Sequence, residues 1–288
     1  MAGHETAKTK TVIDSAGASG NNLLLRVLSA LVLAPLALAV AFIGGWPFVL
    51  FWGAAAAIIL WEWNVIVTDI NKSRVLVFGI ATLAVVTTLA GLGRYGAALI
   101  FMVAGSVVTD LLAGPERRWW SGAGVVYASI LIIAPTILRA DPVFGFAAIL
   151  VLFAIVWATD ILGYFAGRIF GGAKLAPQIS PKKTWAGAIG GTIGAAISML
   201  AVLTFFHIPN AIVLGLLAVV LSGVSQAGDL CESAFKRRFH VKDASHLIPG
   251  HGGLMDRLDG FLMAAAVGAI IGVLRGGVEA PAHGLLIW

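Results

Sequence analysis

Long apolar segments follow one another along almost the whole chain, and this succession constrains the fold more than any other feature. A helix needs roughly 20 apolar residues to cross a bilayer, where all backbone N–H and C=O groups must be hydrogen-bonded within the protein. Nine segments approach that length: residues 27–43, 47–67, 75–92, 95–113, 122–138, 143–165, 185–206, 211–229 and 258–274. The sequence therefore predicts an all-α, polytopic integral membrane protein with about nine transmembrane helices.

The composition supports a single membrane domain. Only 11% of the 288 residues are charged, whereas soluble domains carry about 25%. Residues 1–22 are polar and small, so we expect a polar N-terminal segment followed by one transmembrane catalytic domain over residues 23–288. The single cysteine, Cys231, excludes an internal disulfide and a CxxC metal knuckle.

The distribution of Lys and Arg predicts the orientation. With a cytoplasmic N-terminus and nine alternating spans, sixteen of the 19 basic residues fall on the cytoplasmic side, and only Arg94, Arg139 and Arg275 fall on the far side. We therefore expect an inner-membrane protein with a cytoplasmic active site and a C-terminus on the far side. Membrane lipids are expected partners and nucleic acid is not, because the basic residues lie where lipid headgroups would compete for them.

Acidic residues within the apolar segments are candidates for function, because a charge inside a bilayer is costly. The side chains of Glu62 and Asp110 either face a polar cavity or pair with a basic residue near the membrane interface. The sequence leaves both interpretations open. Asp160 and Asp229 each lie near the cytoplasmic end of a segment that leads into a basic connection. Asp229 shares a helical face with Glu232.

The connection after Asp229 places acids beside bases. Lys236, Arg237 and Arg238 follow within ten residues. A carboxylate can hold a hard divalent cation while the bases hold phosphate oxygens. The alternative is a basic cluster that only meets anionic lipid headgroups.

The same connection contains "PGHGGLMDRLDG". Its glycines allow backbone N–H groups to approach an anion closely. Asp256 and Asp259 share a face, and we expect them in the first turn of the last span, where the helix dipole favours negative charge. Ordinary capping and a tight turn are the alternatives. His251 is either a phosphate ligand or a loop residue.

The connection between the sixth and seventh segments repeats this pattern. "SPKKTW" places Ser180, Lys182, Lys183 and Thr184 just before a helix. These residues either bind phosphate or anchor the helix at the membrane surface. The chain has no GxSxG, Walker A, HExxH or CxxC motif.

These residues together resemble a known family. The stretch "SQAGDLCESAFKRRFHVKDASHLIPGHGGLMDRLDG" is similar to the signature of phosphatidate cytidylyltransferases, and "TDILGYFAGRIFGGAKLAPQISPKKTWAG" is similar to the family's second block. The first signature is filled by Ser233, Lys236, Arg237, Lys242, Asp243, Pro249, Gly250, His251, Gly252, Gly253, Asp256, Arg257 and Asp259. One departure is Ala186, where many members have Glu after the Trp.

The resemblance implies a multi-span enzyme that converts CTP and phosphatidic acid to CDP-diacylglycerol and pyrophosphate with Mg2+, a second cation being left open. It implies that Asp229 and Asp256 bind the metal. The residues to which we assign catalytic roles are Asp229, Asp256, Lys236, Arg237, Lys242, Asp243 and His251. Those to which we assign substrate binding are Asp160, Ser180, Lys182, Lys183, Thr184, Ser233, Gly250, Gly252, Gly253, Arg257 and Asp259.

Three other functions are compatible with parts of the sequence. An ion-coupled transporter would use intramembrane acids, but here the polar groups gather at one face rather than at the midplane. A polyprenol or lipid kinase would use a similar phosphate site. A structural membrane protein would not need the cluster of Asp, Lys, His and Gly. The sequence does not set the oligomeric state, and a homodimer is kept as an alternative to a monomer.

Overall fold

The computed structural model describes Ser29 and residues 31–67, 73–115, 119–245, 247 and 252–288. The predictions made for residues 1–22, Pro249, Gly250 and His251 lie outside these residues.

Helices form nearly all of the described structure. They are α1 (Leu31–Ile43), α2 (Gly45–Val67), α3 (Ser73–Gly91), α4 (Tyr95–Ala113), α5 (Trp120–Arg139), α6 (Gly145–Phe170), α7 (Trp185–Phe206), α8 (Ala211–Arg238), α9 (Met255–Gly276) and α10 (Pro281–Leu286). Within the described residues, the eight helices α2 to α9 are long and apolar enough to cross a membrane. At 1.5 Å per residue, the described part of α1 spans only about 20 Å. The chain is an all-α, multi-pass membrane protein.

Several helices extend beyond the apolar segments that predicted them, and the polar extensions of α8 and α9 bear on the site. Helix α8 continues past residue 229 to Arg238, and α9 begins at Met255 rather than at residue 258. Hydropathy detects the part of a helix that lies in lipid, not the polar turns that project from it. The last turn of α8 carries Lys236, Arg237 and Arg238, which the helix dipole favours at a C-terminus.

A short hairpin, which the sequence pattern does not predict, lies between α6 and α7. Strand β1 (Lys174–Ala176) pairs antiparallel with β2 (Ser180–Thr184), with Lys174 opposite Thr184. Thr184 ends β2 and also caps α7, because its hydroxyl accepts a hydrogen bond from the N–H of Gly187 at 3.1 Å. The hairpin therefore fixes Lys182 and Lys183 directly before a helix start.

The core is centred on α5, most of whose side chains are buried. Beside it, the Trp52 ring of α2 stacks on Phe261 of α9 at 4.8 Å and approaches Phe153 of α6. Large apolar side chains on α4 and α7 are exposed instead, as expected for surfaces that face lipid.

Glycines set the close packing of α6 against α7. A Cβ at Gly187 would lie 2.9 Å from the carbonyl oxygen of Gly163, and one at Gly191 would lie 2.6 Å from that of Thr159. Small residues commonly allow membrane helices to approach this closely. The two backbones consequently form one wall of the site described below.

The C-terminal residues fold back as α10 against α9. Arg275 donates hydrogen bonds to the carbonyl groups of Gly284 and Ile287 and lies over the Trp288 ring, 3.6 Å from its centroid. Asp141 accepts from the N–H groups of Phe144 and His283. These contacts close the end of the bundle opposite the two polar connections.

Candidate active site

The predicted residues gather at one end of the bundle, which we call the site end: α6 and α8 finish there, and α7 and α9 begin there. A polar cavity of about 440 Å³ lies between α6, α7, α8 and β2. Its lining consists of Thr159, Asp160, Gly163, Tyr164, Gly167, Arg168, Leu175, Lys182, Lys183, Thr184, Gly187, Ala188, Gln226 and Asp229. The cavity thus brings Lys182 and Lys183 of the first connection beside Asp229, which directly precedes the second.

An ion pair joins the walls of this polar cavity. The Lys183 ammonium lies 2.5 Å from Asp229 Oδ2, and both side chains are partly exposed. Ser233 donates to Asp229 Oδ1 at 3.3 Å. Asp229 is therefore fixed on both oxygens while remaining accessible from the cavity.

Neutral polar groups form one wall of the cavity. Gln226 donates to Thr192 Oγ1 at 3.1 Å and to Ser222 Oγ at 3.3 Å, and Ser222 also bonds Thr159 at 2.8 Å. This network connects α6, α7 and α8. Gln226 is not among the residues predicted from sequence, because a single amide in an apolar segment has no partner visible in sequence.

Tyr164 and Arg168 are further lining residues that sequence reasoning missed. Arg168 Nη1 donates to the Tyr164 hydroxyl at 2.8 Å. A signal was present, because Asp160, Tyr164 and Arg168 recur every four residues and must share one face of α6. That face points into the polar cavity.

A second, apolar cavity of about 480 Å³ adjoins the first. It is lined by Leu33, Ala34, Ala37, Phe51, Trp52, Ala54, Ala55, Ile58, Phe153, Val156, Trp157, Asp160, Leu247, Leu254, Arg257, Leu258 and Phe261. Asp160 lines both cavities, and Arg257 lines the apolar one. The two cavities therefore meet at a carboxylate.

Asp256 belongs to a different cluster, in which Lys236 bridges two acids. The Lys236 ammonium lies 2.5 Å from Asp256 Oδ1 and 2.7 Å from Glu232 Oε2. Lys236 and Glu232 are buried. Lys236 is thus engaged within the protein, and its predicted role in binding substrate phosphate stays a prediction.

The packing of α8 on α9 shows where Asp229 and Asp256, the two acids expected to share a metal, lie relative to each other. A Cβ at Gly228 would lie 2.9 Å from the carbonyl oxygen of Asp259, so Asp229 is level with Asp259. Asp256 pairs with Lys236 instead, about one helical turn nearer the site end. Since α9 begins at Met255, Asp259 is in its second turn, not in the first turn as predicted, and is buried.

The glycines before α9 are explained by the protein's own carboxylates. Gly253 donates its N–H to Asp256 Oδ2 at 2.9 Å, and Ala244 donates to the same oxygen at 3.1 Å. Gly252 has a φ of +85°, which favours glycine. A substrate phosphate could use the Gly253 amide only by displacing Asp256, so the predicted binding roles of Gly252 and Gly253 stay predictions.

Both acids that the sequence left open cap the N-terminus of another helix. Glu62 is fully buried and accepts from the N–H groups of Leu254 and Met255 at 2.8 and 2.7 Å. Asp110 accepts from the N–H of Gly122 at 2.7 Å. Within the described residues, neither side chain lines the polar or the apolar cavity.

The remaining predicted residues lie around the site end. Arg237, Lys242 and Asp243 are exposed, and Arg237 donates to the carbonyl oxygen of Val241 at 3.1 Å. Ser180 is half-buried in β2, next to the lysines. Among the described side chains, no group of three or more His, Cys, Asp or Glu is placed to hold a metal ion.

Comparisons with known proteins identify the family. The phosphatidate cytidylyltransferase of Brucella suis biovar 1 (strain 1330) is 41% identical over 263 residues, which cover 91% of this chain and 97% of the relative. That of Haemophilus influenzae (strain ATCC 51907 / DSM 11121 / KW20 / Rd) is 45% identical over 132 residues, 43% of this chain and 45% of the relative. The sequence model of the Cytidylyltransferase family matches residues 24–274. The chain therefore belongs to the cytidylyltransferase family.

Proposed function

We propose that the chain transfers the cytidylyl group of CTP to phosphatidic acid, forming CDP-diacylglycerol and releasing pyrophosphate. The observation that carries this proposal is the junction of a basic polar cavity and an apolar cavity at Asp160. The polar cavity suits a nucleoside triphosphate, and the apolar cavity suits a diacyl lipid. Their phosphates would then meet between Asp160, Lys183 and Asp229.

The reaction needs charge neutralisation more than a strong base. A phosphate monoester has a second pKa near 6, so the lipid phosphate is already largely dianionic at neutral pH. Its oxygen would bond to the α-phosphorus of CTP as the bond from that phosphorus to the bridging oxygen of pyrophosphate breaks. Two unit charges about 4 Å apart repel by about 4 kcal/mol at an effective dielectric constant of 20, so approach of the two phosphates is the main obstacle.

The cationic side chains of the polar cavity are suited to that task. Lys182, Lys183 and Arg168 lie along β2 and the end of α6. Arg168 can bind phosphate oxygens through two N–H groups, and its contact with Tyr164 orients the guanidinium. The N-terminus of α7, directly after Thr184, adds the partial positive charge of a helix dipole.

The donors present also fit Mg2+. Asp229 already holds a cation, the Lys183 ammonium, and Asp160 lines the same cavity. Mg2+ in nucleotide enzymes is commonly held by one or two carboxylates plus substrate phosphates, without a full protein cage. We propose Asp229 and Asp160 as its carboxylates, where the ion would supply further neutralisation of the phosphates. The pair Asp229 and Asp256 stays a prediction, since Asp256 lines neither cavity among the described residues and is paired with Lys236.

The direct test supplies purified protein with phosphatidic acid, Mg2+ and CTP labelled at the α-phosphate. The proposal expects label in the lipid extract together with an equal amount of pyrophosphate. Lipid labelled only by γ-labelled CTP would indicate a kinase instead. Solute counterflow in liposomes without CTP, with no lipid labelling, would indicate a transporter.

A further inference from the structure

We infer that Glu62 is a positioning residue for the proposed transfer reaction, which holds Ser245 and the start of α9 in register with α8. This inference rests on the proposed function for its activity readout. Glu62 is fully buried on α2 and makes no contact with either cavity among the described residues. It can therefore affect the reaction only through the residues that it holds.

The contacts of Glu62 converge on the loop that carries the family signature. Oε1 accepts from the Ser245 hydroxyl at 2.6 Å and from the Leu254 N–H at 2.8 Å, and Oε2 accepts from the Met255 N–H at 2.7 Å. All three donors lie more than 180 positions along the chain from Glu62. One carboxylate thus joins Ser245 to the start of α9.

Glu62 and Asp256 divide the backbone amides at the start of α9 between them. Asp256 takes the N–H of Gly253, and Glu62 takes the next two, those of Leu254 and Met255. Three consecutive amides therefore point at carboxylates of the protein. Because Asp256 is also bonded to Lys236, a shift of α9 would disturb the pair between α9 and α8.

The position of Gly253 supports the same conclusion. A Cβ there would lie 2.7 Å from Glu62 Oε1 and 2.9 Å from the Ala244 Cβ. A glycine is therefore required for the loop to approach Glu62 as closely as it does. The glycine is explained by Glu62 without any substrate anion.

Glu62 is itself mounted on a fixed part of α2. The ring of Trp63 stacks on Phe235 of α8 at 3.9 Å, and its Nε1 donates to the Trp120 carbonyl oxygen at 2.7 Å. Phe235 directly precedes Lys236. The same turn of α2 consequently holds both α8 and the start of α9, which is what a positioning role requires.

Glu62→Gln tests the inference. The amide keeps one acceptor oxygen and turns an NH2 group toward an N–H donor, so at least one of the three bonds is lost. We expect kcat to fall by about 10- to 100-fold, as small misplacements do in other sites, with the KM for CTP changed by less than about threefold. Amide hydrogen exchange in residues 252–256 should become faster. Glu62→Asp keeps two acceptors and should recover part of kcat.

Asp110→Asn is the matched control, since Asp110 also caps a helix N-terminus from a neighbouring helix. A merely structural role for Glu62 predicts that both variants lose folded protein alike and keep the kcat of the folded fraction. That result, or an unchanged kcat in Glu62→Gln, would overturn the inference.

If Glu62→Gln does not fold, Gly253→Ala provides the second test, with the same loss of kcat and faster exchange expected. Absence of transferase activity in the unmodified protein would instead contradict the proposed function, whereas faster exchange in Glu62→Gln would still support the loop contacts.

Discussion

Asp229 and Lys183 form an ion pair that lines the polar cavity of the candidate site. The carboxylate faces the polar cavity from α8, and the ammonium faces it from β2. An ammonium and a divalent cation both bind carboxylate oxygens, so Mg2+ on Asp229 would release Lys183 toward a phosphate. This exchange gives the two residues separable roles.

Asp229→Asn should lower kcat by about 100-fold or more, a loss seen when a charge-stabilising group is removed from an active site. The amide keeps the shape of the side chain and a hydrogen bond to Ser233, so the protein should remain folded in detergent. Turnover with labelled CTP and thermal unfolding are the measurements, with the exposed Glu279→Gln as control. Near-normal turnover would exclude Asp229 from the site.

Lys183→Ala should raise the KM for CTP about tenfold, because one charge-assisted hydrogen bond to phosphate is lost. Lys174→Ala is the matched control, since Lys174 lies exposed on β1 of the same hairpin. If both variants keep the KM of the unmodified protein for CTP and for phosphatidic acid, Lys183 serves only as a membrane-surface anchor.

The residues that sequence reasoning could find are those with a local pattern. Lys182 and Lys183 stand out beside a helix start, and Asp229 stands out in an apolar segment. Glu62 could not be assigned, because its partners Ser245, Leu254 and Met255 are distant in sequence and two of them use only backbone atoms. A side chain on one helix that caps the N-terminus of another helix leaves no periodic pattern in the sequence.

Among the elements, the pair α6 and α7 determines the width of the polar cavity. Gly163, Gly167 and Gly187 line the cavity and also set the distance between the two backbones. The helices were predictable from apolar length, but their polar extensions and the hairpin were not. A three-residue strand paired with a five-residue one is too short for alternation to be recognised.

Gly191→Ala should destabilise the protein by about 1–3 kcal/mol, since its Cβ would meet the Thr159 carbonyl oxygen at 2.6 Å and force α7 from α6. Gly223→Ala is the control: it lies exposed in α8, where nothing lies within 4 Å of an added Cβ, and should cause no loss. Thermal unfolding in detergent measures both. Equal midpoints would show that the two helices can separate freely.

At the scale of the whole molecule, a polar and an apolar cavity lie side by side, so that a water-soluble substrate and a lipid substrate would bind next to each other. The apolar cavity lies between α1, α2, α6 and α9, and among the described lining residues it shares only Asp160 with the polar cavity. Half-exposed alanines of α1 line it, so a larger side chain at one of these positions can fill part of the cavity without altering the core.

Ala34→Trp should raise the KM for long-chain phosphatidic acid several-fold and leave the KM for CTP unchanged, because the indole would occupy the apolar cavity. Ala39→Trp adds the same ring to an exposed position on α1 outside that cavity and should behave like the unmodified protein. Kinetics in mixed micelles with lipids of different chain length provide the measurement. An equal effect on both substrates, or on both variants, would argue against a lipid role for the cavity.

The distribution of charge predicts the orientation of the bundle, and the single cysteine, Cys231, makes this prediction testable. Successive crossings by α2 to α9 place β1 at the site end and the segment after α9 at the opposite end. The basic residues of the site end predict that it faces the cytoplasm.

In a Cys231→Ser background, Lys174→Cys should react with a membrane-impermeant maleimide only in inside-out vesicles, and Glu279→Cys only in right-side-out vesicles. Both positions are exposed, so burial would not prevent either cysteine from reacting. The reverse labelling pattern would place the polar cavity on the side where CTP is not available, and the proposed function would then be untenable in the cell.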